Sequence, residues 1–232
     1  MIVLGSVKGS PGVTTFAAAL SVVWHGQRPV LVEADCAGGD LGGWHLVPDD
    51  RGTASLAAGC RTGTVRLGEH TRLLPFGAEV VVAVAARRPA TVAVDLLAEA
   101  DPAVWAGQRP TIVDVGRLEP EAPSARLVAR AGVLLLVCYG DEASLLRVAD
   151  LDPPAADVRL VLVGGCSYPA REVTALTGRP VAVQVPWDPY AARVIAGRAP
   201  LRRGWTRRGL PAAARVVATA LSRRVEVGGG AW

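Results

Sequence analysis

Several patterns that mark particular protein classes are missing from this sequence of 232 residues. No apolar run approaches the roughly 20 residues that a membrane-spanning helix needs, and no basic segment with a cleavage site precedes the first apolar residues. The four cysteines, Cys36, Cys60, Cys138 and Cys166, form no CxxC pair, so neither a zinc site nor a disulfide framework is indicated. We therefore expect a cytoplasmic protein in which Cys138 and Cys166 are buried thiols.

Lysine is almost absent from the chain. Of 25 basic residues only Lys8 is a lysine, and the other 24 are arginines. This bias, together with abundant Ala, Gly and Val, is typical of a GC-rich genome, in which an isolated lysine indicates a position that arginine does not serve. An ammonium group on a flexible stem approaches a phosphate as a point charge, whereas a planar guanidinium needs more room. The sequence therefore predicts a phosphate contact for Lys8, with chance retention of the lysine as the alternative.

Half of the residues are apolar and a fifth are charged, which suits one α/β domain with a substantial core. The runs Val133 to Val137 and Leu160 to Val163 are typical of strands buried on both faces. Apolar strands alternate with helical stretches, and this order favours right-handed βαβ crossovers. We expect a three-layer, doubly wound and mostly parallel sheet of about seven or eight strands in a single domain over residues 1–225. A flexible tail over 226–232 would follow.

The individual elements are predicted from apolar periodicity and from turn residues. The last predicted helix carries small apolar residues on one side and arginines elsewhere, so it packs on the sheet or lies on a membrane surface. Its apolar side has no Phe or Trp to insert into lipid, which favours packing. The predicted strands cover 1–6, 29–33, 72–75, 110–115, 132–138, 158–164 and 181–185, and the predicted helices cover 13–24, 90–100, 123–131, 142–150, 170–177 and 211–224.

A glycine-containing loop, KGSPGVTT, links the first predicted strand to the first predicted helix. At such a junction the backbone amides and the helix N-terminus can hold an anion, although a tight turn without a ligand is the alternative. The loop resembles the KGGxGKTT loop of the MinD/ParA family of deviant Walker ATPases. This resemblance implies a nucleotide-binding loop whose first lysine reaches phosphate oxygens across a dimer. The residues of the loop are Lys8, Gly9, Ser10, Pro11, Gly12, Val13, Thr14 and Thr15.

Ser10 replaces a glycine of the family loop, which is a mild change, and two further positions at the loop depart from the family pattern in ways that matter more. Val13 stands where the ordinary P-loop lysine pairs with the β- and γ-phosphates, and Val7 stands where the fuller motif begins with glycine. A charge-assisted hydrogen bond is worth about 1.5–3 kcal/mol, so losing one lowers nucleotide affinity by roughly tenfold to more than a hundredfold. The amides, a magnesium ion and Lys8 still offer contacts to phosphate. We expect ATP or ADP with Mg²⁺ as the ligand, with weak or absent ATP hydrolysis.

The segment after the second predicted strand resembles two further parts of the family pattern. Glu33-Ala34-Asp35 corresponds to the DxD element, with Glu33 in place of an aspartate, and Gly38 to Leu41 corresponds to the first switch segment. The resemblance implies that Asp35 orients the attacking water and senses the γ-phosphate. It therefore makes Asp35 and Lys8 the candidate catalytic residues.

Two more segments complete the resemblance. Asp114 ends an apolar strand as in a Walker B motif, so Asp114 and Thr14 are the candidate magnesium ligands, with a simple strand cap as the alternative. Pro186 and Asp188 match the segment that borders the adenine, which makes them candidate nucleotide contacts. The alternative for that segment is an ordinary exit from a strand, with Trp187 packed on the core.

The resemblance spans almost the whole chain and is nearest in character to the CpaE/TadZ-like proteins of Tad-type pilus systems and of high-GC, actinobacterial genomes. It implies a MinD/ParA-like localisation or regulatory protein that forms a nucleotide-dependent homodimer. Such a protein positions a pilus, secretion or division assembly through a protein partner. The receiver-like domain of many CpaE/TadZ-like proteins is not expected here, because the first predicted strand begins at Met1.

Two other functions stay open. An active ParA-type chromosome or plasmid partition ATPase would bind DNA, and a basic stretch around Trp205 offers phosphate contacts, unless it is simply a solvated surface. An iron–sulfur reductase of the nitrogenase iron-protein type would need cysteines on two loops that face a dimer axis, which Cys36 and Cys138 do not match. The arginines of the basic stretch are Arg198, Arg202, Arg203, Arg207 and Arg208.

Overall fold

The computed structural model describes residues 1–8, 11–63, 65–107 and 109–227. Strands and helices alternate along this part of the chain. The strands are β1 Ile2–Ser6, β2 Val30–Glu33, β3 Arg72–Leu73, β4 Glu79–Val81, β5 Thr111–Arg117, β6 Val133–Tyr139, β7 Val158–Val163 and β8 Val181–Val185. The helices are α1 Val13–Val23, α2 Leu41–Trp44, α3 Thr53–Thr62, α4 Arg87–Glu99, α5 Pro102–Trp105, α6 Ser124–Ala129, α7 Glu142–Ala149, α8 Ala170–Thr177, α9 Pro189–Ile195 and α10 Gly209–Val227.

All eight strands belong to one sheet, in the order β3-β4-β2-β5-β1-β6-β7-β8. Every neighbouring pair is parallel except β3 and β4. The predicted mostly parallel sheet of seven or eight strands is therefore confirmed. Strand β1 lies between β5 and β6, so the chain continues to β2 on one side and to β6 on the other. This reversal is the position at which open α/β sheets place their ligands.

The two faces of the sheet are covered by separate helical layers. Along β1, Ile2 and Leu4 pack into the core under α1, α9 and α10, whereas Val3 packs into the core under α3, α4 and α6. Successive side chains of a strand point to opposite faces, so an uninterrupted apolar strand supplies both cores. A third apolar cluster joins β6 and β7 to α7 and α8. The three-layer architecture is as predicted.

The largest differences from the predicted elements lie between residues 41 and 105. Strand β4 is not predicted, and the strand predicted over 72–75 is reduced to the two residues of β3, antiparallel to β4 at the sheet edge. Helix α3 is also missed. It buries only Thr53, Leu56 and Ala57, so its sequence carries little of the apolar periodicity on which a helix prediction depends.

Helix α10 packs against α1 and β8, as the packed alternative for the last predicted helix requires. Its buried side includes Leu210, Ala214, Val217 and Leu221. The helix continues to Val227, so the first two residues of the predicted tail are helical, and 228–232 lie outside the described residues. Among the described helices none is long and apolar enough to cross a bilayer.

All four cysteines are free thiols. Cys138 is buried in β6, as predicted, and burial raises its pKa to about 12. The prediction of a buried Cys166 is wrong, because this residue lies in the loop after β7 and is only partly covered. Its thiol donates to the carbonyl of Tyr168 at 3.5 Å.

Candidate functional site

A cavity of about 580 Å³ lies where the carboxyl ends of β1, β2 and β5 meet the N-terminus of α1. This size suits a small-molecule ligand. The cavity brings the candidate residues Gly12, Thr14 and Asp35 together with Gly116 and Arg117 of β5. The described residues that line it are Ser6, Gly12, Val13, Thr14, Thr15, Asp35, Cys36, Ala37, Asp40, Trp44, Arg87, Gly116, Arg117, Glu119 and Ala122.

A second cavity, of about 660 Å³, lies at the amino edge of the sheet near Met1, Asp101 and Arg130. None of the candidate site residues lines it. Ligands in open α/β sheets bind outside the carboxyl ends of the strands, so the first cavity is the better candidate site despite its smaller volume.

The N-terminus of α1 opens into the first cavity. Gly12 has φ +90° and ψ +40°, a left-handed conformation that glycine adopts at no steric cost, and its carbonyl accepts the first helical bond from Phe16 N at 2.8 Å. The first amides of a helix have no intrahelical partner, and no side chain caps α1 or places an acid in its first turn. Such a helix end attracts an anion. Gly9 and Ser10, predicted to bind the same anion, lie outside the described residues.

Thr14 and Asp114 form a polar pair at this helix end, in which Thr14 is half-buried and lines the cavity whereas Asp114 is buried and does not line it. The Thr14 hydroxyl donates to the Asp114 carboxylate, and Gly116 N donates to Asp114 Oδ1 at 2.9 Å. Asp114 is fully enclosed in the protein, and this burial raises its pKa to about 6 against the opposing effect of the two hydrogen bonds. A hydroxyl and a carboxylate in contact are oxygen ligands of the kind that Mg²⁺ takes.

Asp35 lies across the cavity from the start of α1. Its Oδ1 accepts from Ala37 N at 2.7 Å, and partial burial raises its pKa. Gly116 has φ +63°, and a Cβ built on it would lie 1.9 Å from Asp35 Oδ2. The end of β5 therefore approaches Asp35 so closely that only glycine fits at position 116.

Glu33 belongs to the DxD-like element together with Asp35, but unlike Asp35 it does not line the cavity. Its side chain is fully buried beneath the segment that begins α2. Oε1 accepts from the amides of Asp40 and Leu41, both at 2.9 Å, and Oε2 accepts from Ala83 N at 3.0 Å. Burial raises the pKa of Glu33 to about 7, although the three amides lower it. The sequence does not reveal this arrangement, because Ala83 is 50 residues away and local patterns do not predict β4.

Three residues of the predicted loop differ in their exposure to solvent and in their contact with the cavity. Lys8 is exposed and does not line the cavity. Pro11 is buried. Val13 lines the cavity but is only 7% exposed, and it packs in the core beneath α1, so it offers the cavity an apolar surface.

Pro186 and Asp188, predicted to contact adenine, lie after β8 and do not line the cavity. Asp188 begins α9, where Oδ1 accepts from Ala191 N at 2.9 Å and Oδ2 accepts from Leu210 N at 3.1 Å. Its carboxylate thus joins the start of α9 to the start of α10. Trp187 is 73% exposed, so the alternative in which this side chain packs on the core is wrong. The adenine contacts stay predictions.

Two arginines at the cavity were not selected from the sequence. Arg87 begins α4 and Arg117 ends β5, three residues after Asp114. Arg87 also lowers the pKa of Asp35. Arg117 could have been found from its spacing to Asp114, whereas Arg87 enters the site only through the unpredicted strand β4.

Searches of protein-family models and of curated proteins find no match to this sequence. Among solved structures, the chain is similar to the cell division ATPase MinD of Pyrococcus furiosus, with a TM-score of 0.73 and 17% identity over 96% of this chain and 98% of that chain. It is also similar to a ParA family ATPase of Chlorobium tepidum, with a TM-score of 0.70 and 16% identity over 94% and 98% of the two chains.

A third similar structure is the septum site-determining protein MinD of Pyrococcus horikoshii in complex with Mg-ADP. Its TM-score is 0.69 and its identity is 17%, over 99% of both chains. These similarities show that the chain has the α/β fold of the MinD/ParA P-loop ATPases. At such identities they show the fold alone.

Proposed function

We propose that this chain, which shares the fold of the MinD/ParA ATPases, binds a nucleotide with Mg²⁺ and acts as a localisation or regulatory protein with weak ATP hydrolysis. One observation carries the nucleotide site: Thr14, which lines the cavity at the uncapped N-terminus of α1, is hydrogen-bonded to the buried Asp114. The similar Pyrococcus horikoshii protein holds Mg-ADP, which supports this ligand.

The described residues fit a phosphate group and a magnesium ion. The amides at the start of α1 would hold phosphate oxygens, and Thr14 and Asp114 would hold the ion, which neutralises charge on those oxygens. Among the described residues no group of three or more His, Cys, Asp or Glu gathers as a metal cage. Mg²⁺ does not need one, because it commonly binds through one or two carboxylates, substrate phosphates and water.

The weak hydrolysis follows from position 13. Phosphoryl transfer depends on charge neutralisation at the β- and γ-oxygens, and the side chain of Val13 is apolar and mostly buried in the core. Lys8 is exposed, so its ammonium is free to extend toward a second copy of the chain. This supports a homodimer that forms around nucleotide, with Lys8 of each copy at the phosphate of the other and Asp35 oriented toward the attacking water.

A titration of the apo protein with fluorescent ADP, with and without Mg²⁺, tests the nucleotide site. We expect Asp114→Asn to lose most of the Mg²⁺-dependent affinity, because the amide keeps the shape of the buried side chain but removes its charge. Asp152→Asn is the matched control, since Asp152 is an exposed aspartate in the loop after α7. Equal affinities for the wild type and Asp114→Asn would contradict the proposed site.

The cellular role proposed is the positioning of a pilus, secretion or division assembly through a protein partner. The shared fold supports this role, because two of the similar structures are a cell division ATPase and a septum site-determining protein. A fluorescent fusion in the native host tests it. A wild-type fusion should concentrate at a cellular structure, and the Asp114→Asn fusion should be uniformly distributed.

An active partition ATPase that binds DNA is the second candidate, and one feature of the chain favours it. Between Asp188 and Glu226 the sequence has nine arginines and no acidic residue. The six of them between 193 and 208 are exposed. Retention on DNA that requires ATP and weakens steeply as salt rises would support this function. Retention that is independent of ATP would instead indicate a general polyanion surface.

A further inference from the structure

Two separate segments form one side of the nucleotide cavity. The first, residues 36–44, follows β2 and contributes Asp40 and Trp44 to the cavity wall. The second, residues 83–87, follows β4 and leads to Arg87. Neither segment has a regular partner strand at these positions, so their relative placement depends on contacts between them.

The Glu33 carboxylate is where the two segments meet. One oxygen holds the amides of Asp40 and Leu41, and the other holds the amide of Ala83. Hydrogen bonds to a charged group are roughly twice as strong as those between neutral groups. A carboxylate taken out of water is costly unless donors compensate, so replacing this acid takes the carboxylate acceptor away from the buried amides of Leu41 and Ala83 and from the partly buried amide of Asp40.

The glycines of the first segment allow the two segments to touch. A Cβ on Gly39 would lie 2.6 Å from Glu33 Oε2 and 2.8 Å from Ala83 Cβ, and a Cβ on Gly38 would lie 2.2 Å from the Ala85 carbonyl oxygen. Gly39 N also donates to the Val84 carbonyl at 3.2 Å. Any side chain at either glycine would force the segments apart.

A further contact extends the connection to α4. The Thr91 hydroxyl lies 3.0 Å from the Cys36 carbonyl and 2.9 Å from the Arg87 carbonyl, so its single hydrogen is shared between these two acceptors. This contact brings the segment that carries Asp40 next to the helix that begins at Arg87. A shift of either the segment 36–44 or helix α4 would therefore move the other element where both border the cavity.

We propose that Glu33 is a positioning residue of the nucleotide site, which clasps residues 38–41 to residues 83–85 and so fixes the cavity wall that carries Asp40, Trp44 and Arg87. The clasp itself is a property of the apo chain. Its effect on nucleotide affinity rests on the proposed function.

Hydrogen exchange of the apo protein tests the clasp without any ligand. Glu33→Gln keeps the size of the side chain but turns an NH₂ group toward backbone donors, and Gly39→Ala leaves Glu33 intact but wedges the two segments apart. In both variants we expect the amides of 39–41 and 83–85 to exchange at least about tenfold faster, with the exchange of β1 and β6 unchanged. Gly43→Ala is the control, because a Cβ on Gly43 meets no atom within 4 Å.

Titration with fluorescent ADP and Mg²⁺ then tests positioning. Both Glu33→Gln and Gly39→Ala should bind at least about tenfold more weakly than the wild type, and Gly43→Ala should bind as the wild type does. Unchanged exchange in Glu33→Gln would overturn the clasp, and faster exchange with wild-type affinity would overturn the positioning role. A wild type that binds no nucleotide would instead refute the proposed function, and the exchange result would still decide the clasp.

Discussion

Gly116 and Asp35 approach each other so closely that a Cβ at position 116 would lie 1.9 Å from Asp35 Oδ2. Gly116 also has φ +63°, a conformation that costs other residues about 1–2 kcal/mol. We expect Gly116→Ala to lower stability by about that amount and to displace the Asp35 carboxylate. Any slow ATP turnover of the wild type should then fall further than its nucleotide affinity does.

Chemical denaturation and phosphate release measure these two effects. Gly165→Ala is a suitable control, because a Cβ on Gly165 meets no atom within 4 Å. A Gly116→Ala protein with wild-type turnover would show that the position of Asp35 does not matter for hydrolysis.

ATP hydrolysis by the wild type should be very slow or absent, and Val13→Lys should tighten nucleotide binding more than it speeds hydrolysis. The long stem of a lysine can follow the buried path of Val13 while its ammonium enters the cavity that Val13 lines. A ground-state contact strengthens binding without raising the turnover number. Titration and steady-state phosphate release on both proteins measure the two effects. Wild-type turnover near roughly 1 per second would contradict an impaired ATPase and favour the partition ATPase.

Nucleotide with Mg²⁺ should convert the protein from monomer to dimer. Lys8 is the only lysine of the chain and is exposed, so Lys8→Ala should remain a monomer under the same conditions. Lys8→Arg should dimerise less well than the wild type, because the planar guanidinium approaches phosphate differently. Sedimentation velocity with saturating ATP measures the outcome. A wild type that stays monomeric would count against the dimer.

Val13 stands where the family pattern has a lysine, so this chain lacks that positive charge. Arg87 should supply part of it. It lines the cavity and acts electrostatically on Asp35, so it lies within range of a bound phosphate. We expect Arg87→Met to weaken ADP binding by about five- to tenfold, with the loss shrinking at high salt. The adjacent Arg88 is exposed but does not line the cavity, which makes Arg88→Met the matched control. Equal affinities of these two variants would exclude a specific contribution from Arg87.

The contribution of Glu33 and Asp114 to the stability of the apo protein should fall as pH rises from about 4 to 7. Burial raises the pKa of Glu33 from 4.5 to about 7 and that of Asp114 from 3.8 to about 6. The folded chain therefore keeps protons that the unfolded chain has released. The stability that these groups contribute is complete below their unfolded pKa values and is lost as pH rises through the folded ones.

Thermal unfolding of apo wild type and Glu33→Gln across this pH range measures the effect. The variant should show a shallower decline, because a glutamine does not titrate. Parallel curves for the two proteins would show that Glu33 does not hold a raised pKa in the folded state.

The parts of the fold that the sequence predicts are those with strong local patterns. Strand β8 and helix α8 have the predicted bounds, β1 and β7 differ by one residue at one end, and β6 differs by one residue at both ends, because these apolar runs are bounded by turn residues. Strand β4 lacks such a boundary. Its apolar run continues through Val82 and Ala83 into the cavity wall, and its role as a neighbour of β2 depends on a pairing across about 50 residues.

The residues of the candidate site also fall into two groups, those that local sequence patterns indicate and those that they do not. Local motifs are enough to select Thr14, Asp35 and Asp114 as candidate residues, because parallel strands bring their carboxyl ends to one edge. Asp35 follows β2 by two residues, and Asp114 lies within β5. The clasp by Glu33, the cavity position of Arg87 and the use of Asp188 as a cap depend on partners that are distant in sequence. Local patterns contain no information on such pairs.

The packing of α1 against α10 has a consequence for synthesis on the ribosome. The first helix is made early, but the helix that covers one of its sides begins about 185 residues later. At a translation rate of 5–20 residues per second, this side of α1 stays exposed for roughly 10–40 s before α10 is synthesised. The N-terminus of α1, at which the proposed phosphate site lies, therefore has its complete support only when the final helix has emerged. This end of the proposed site is encoded first and completed last.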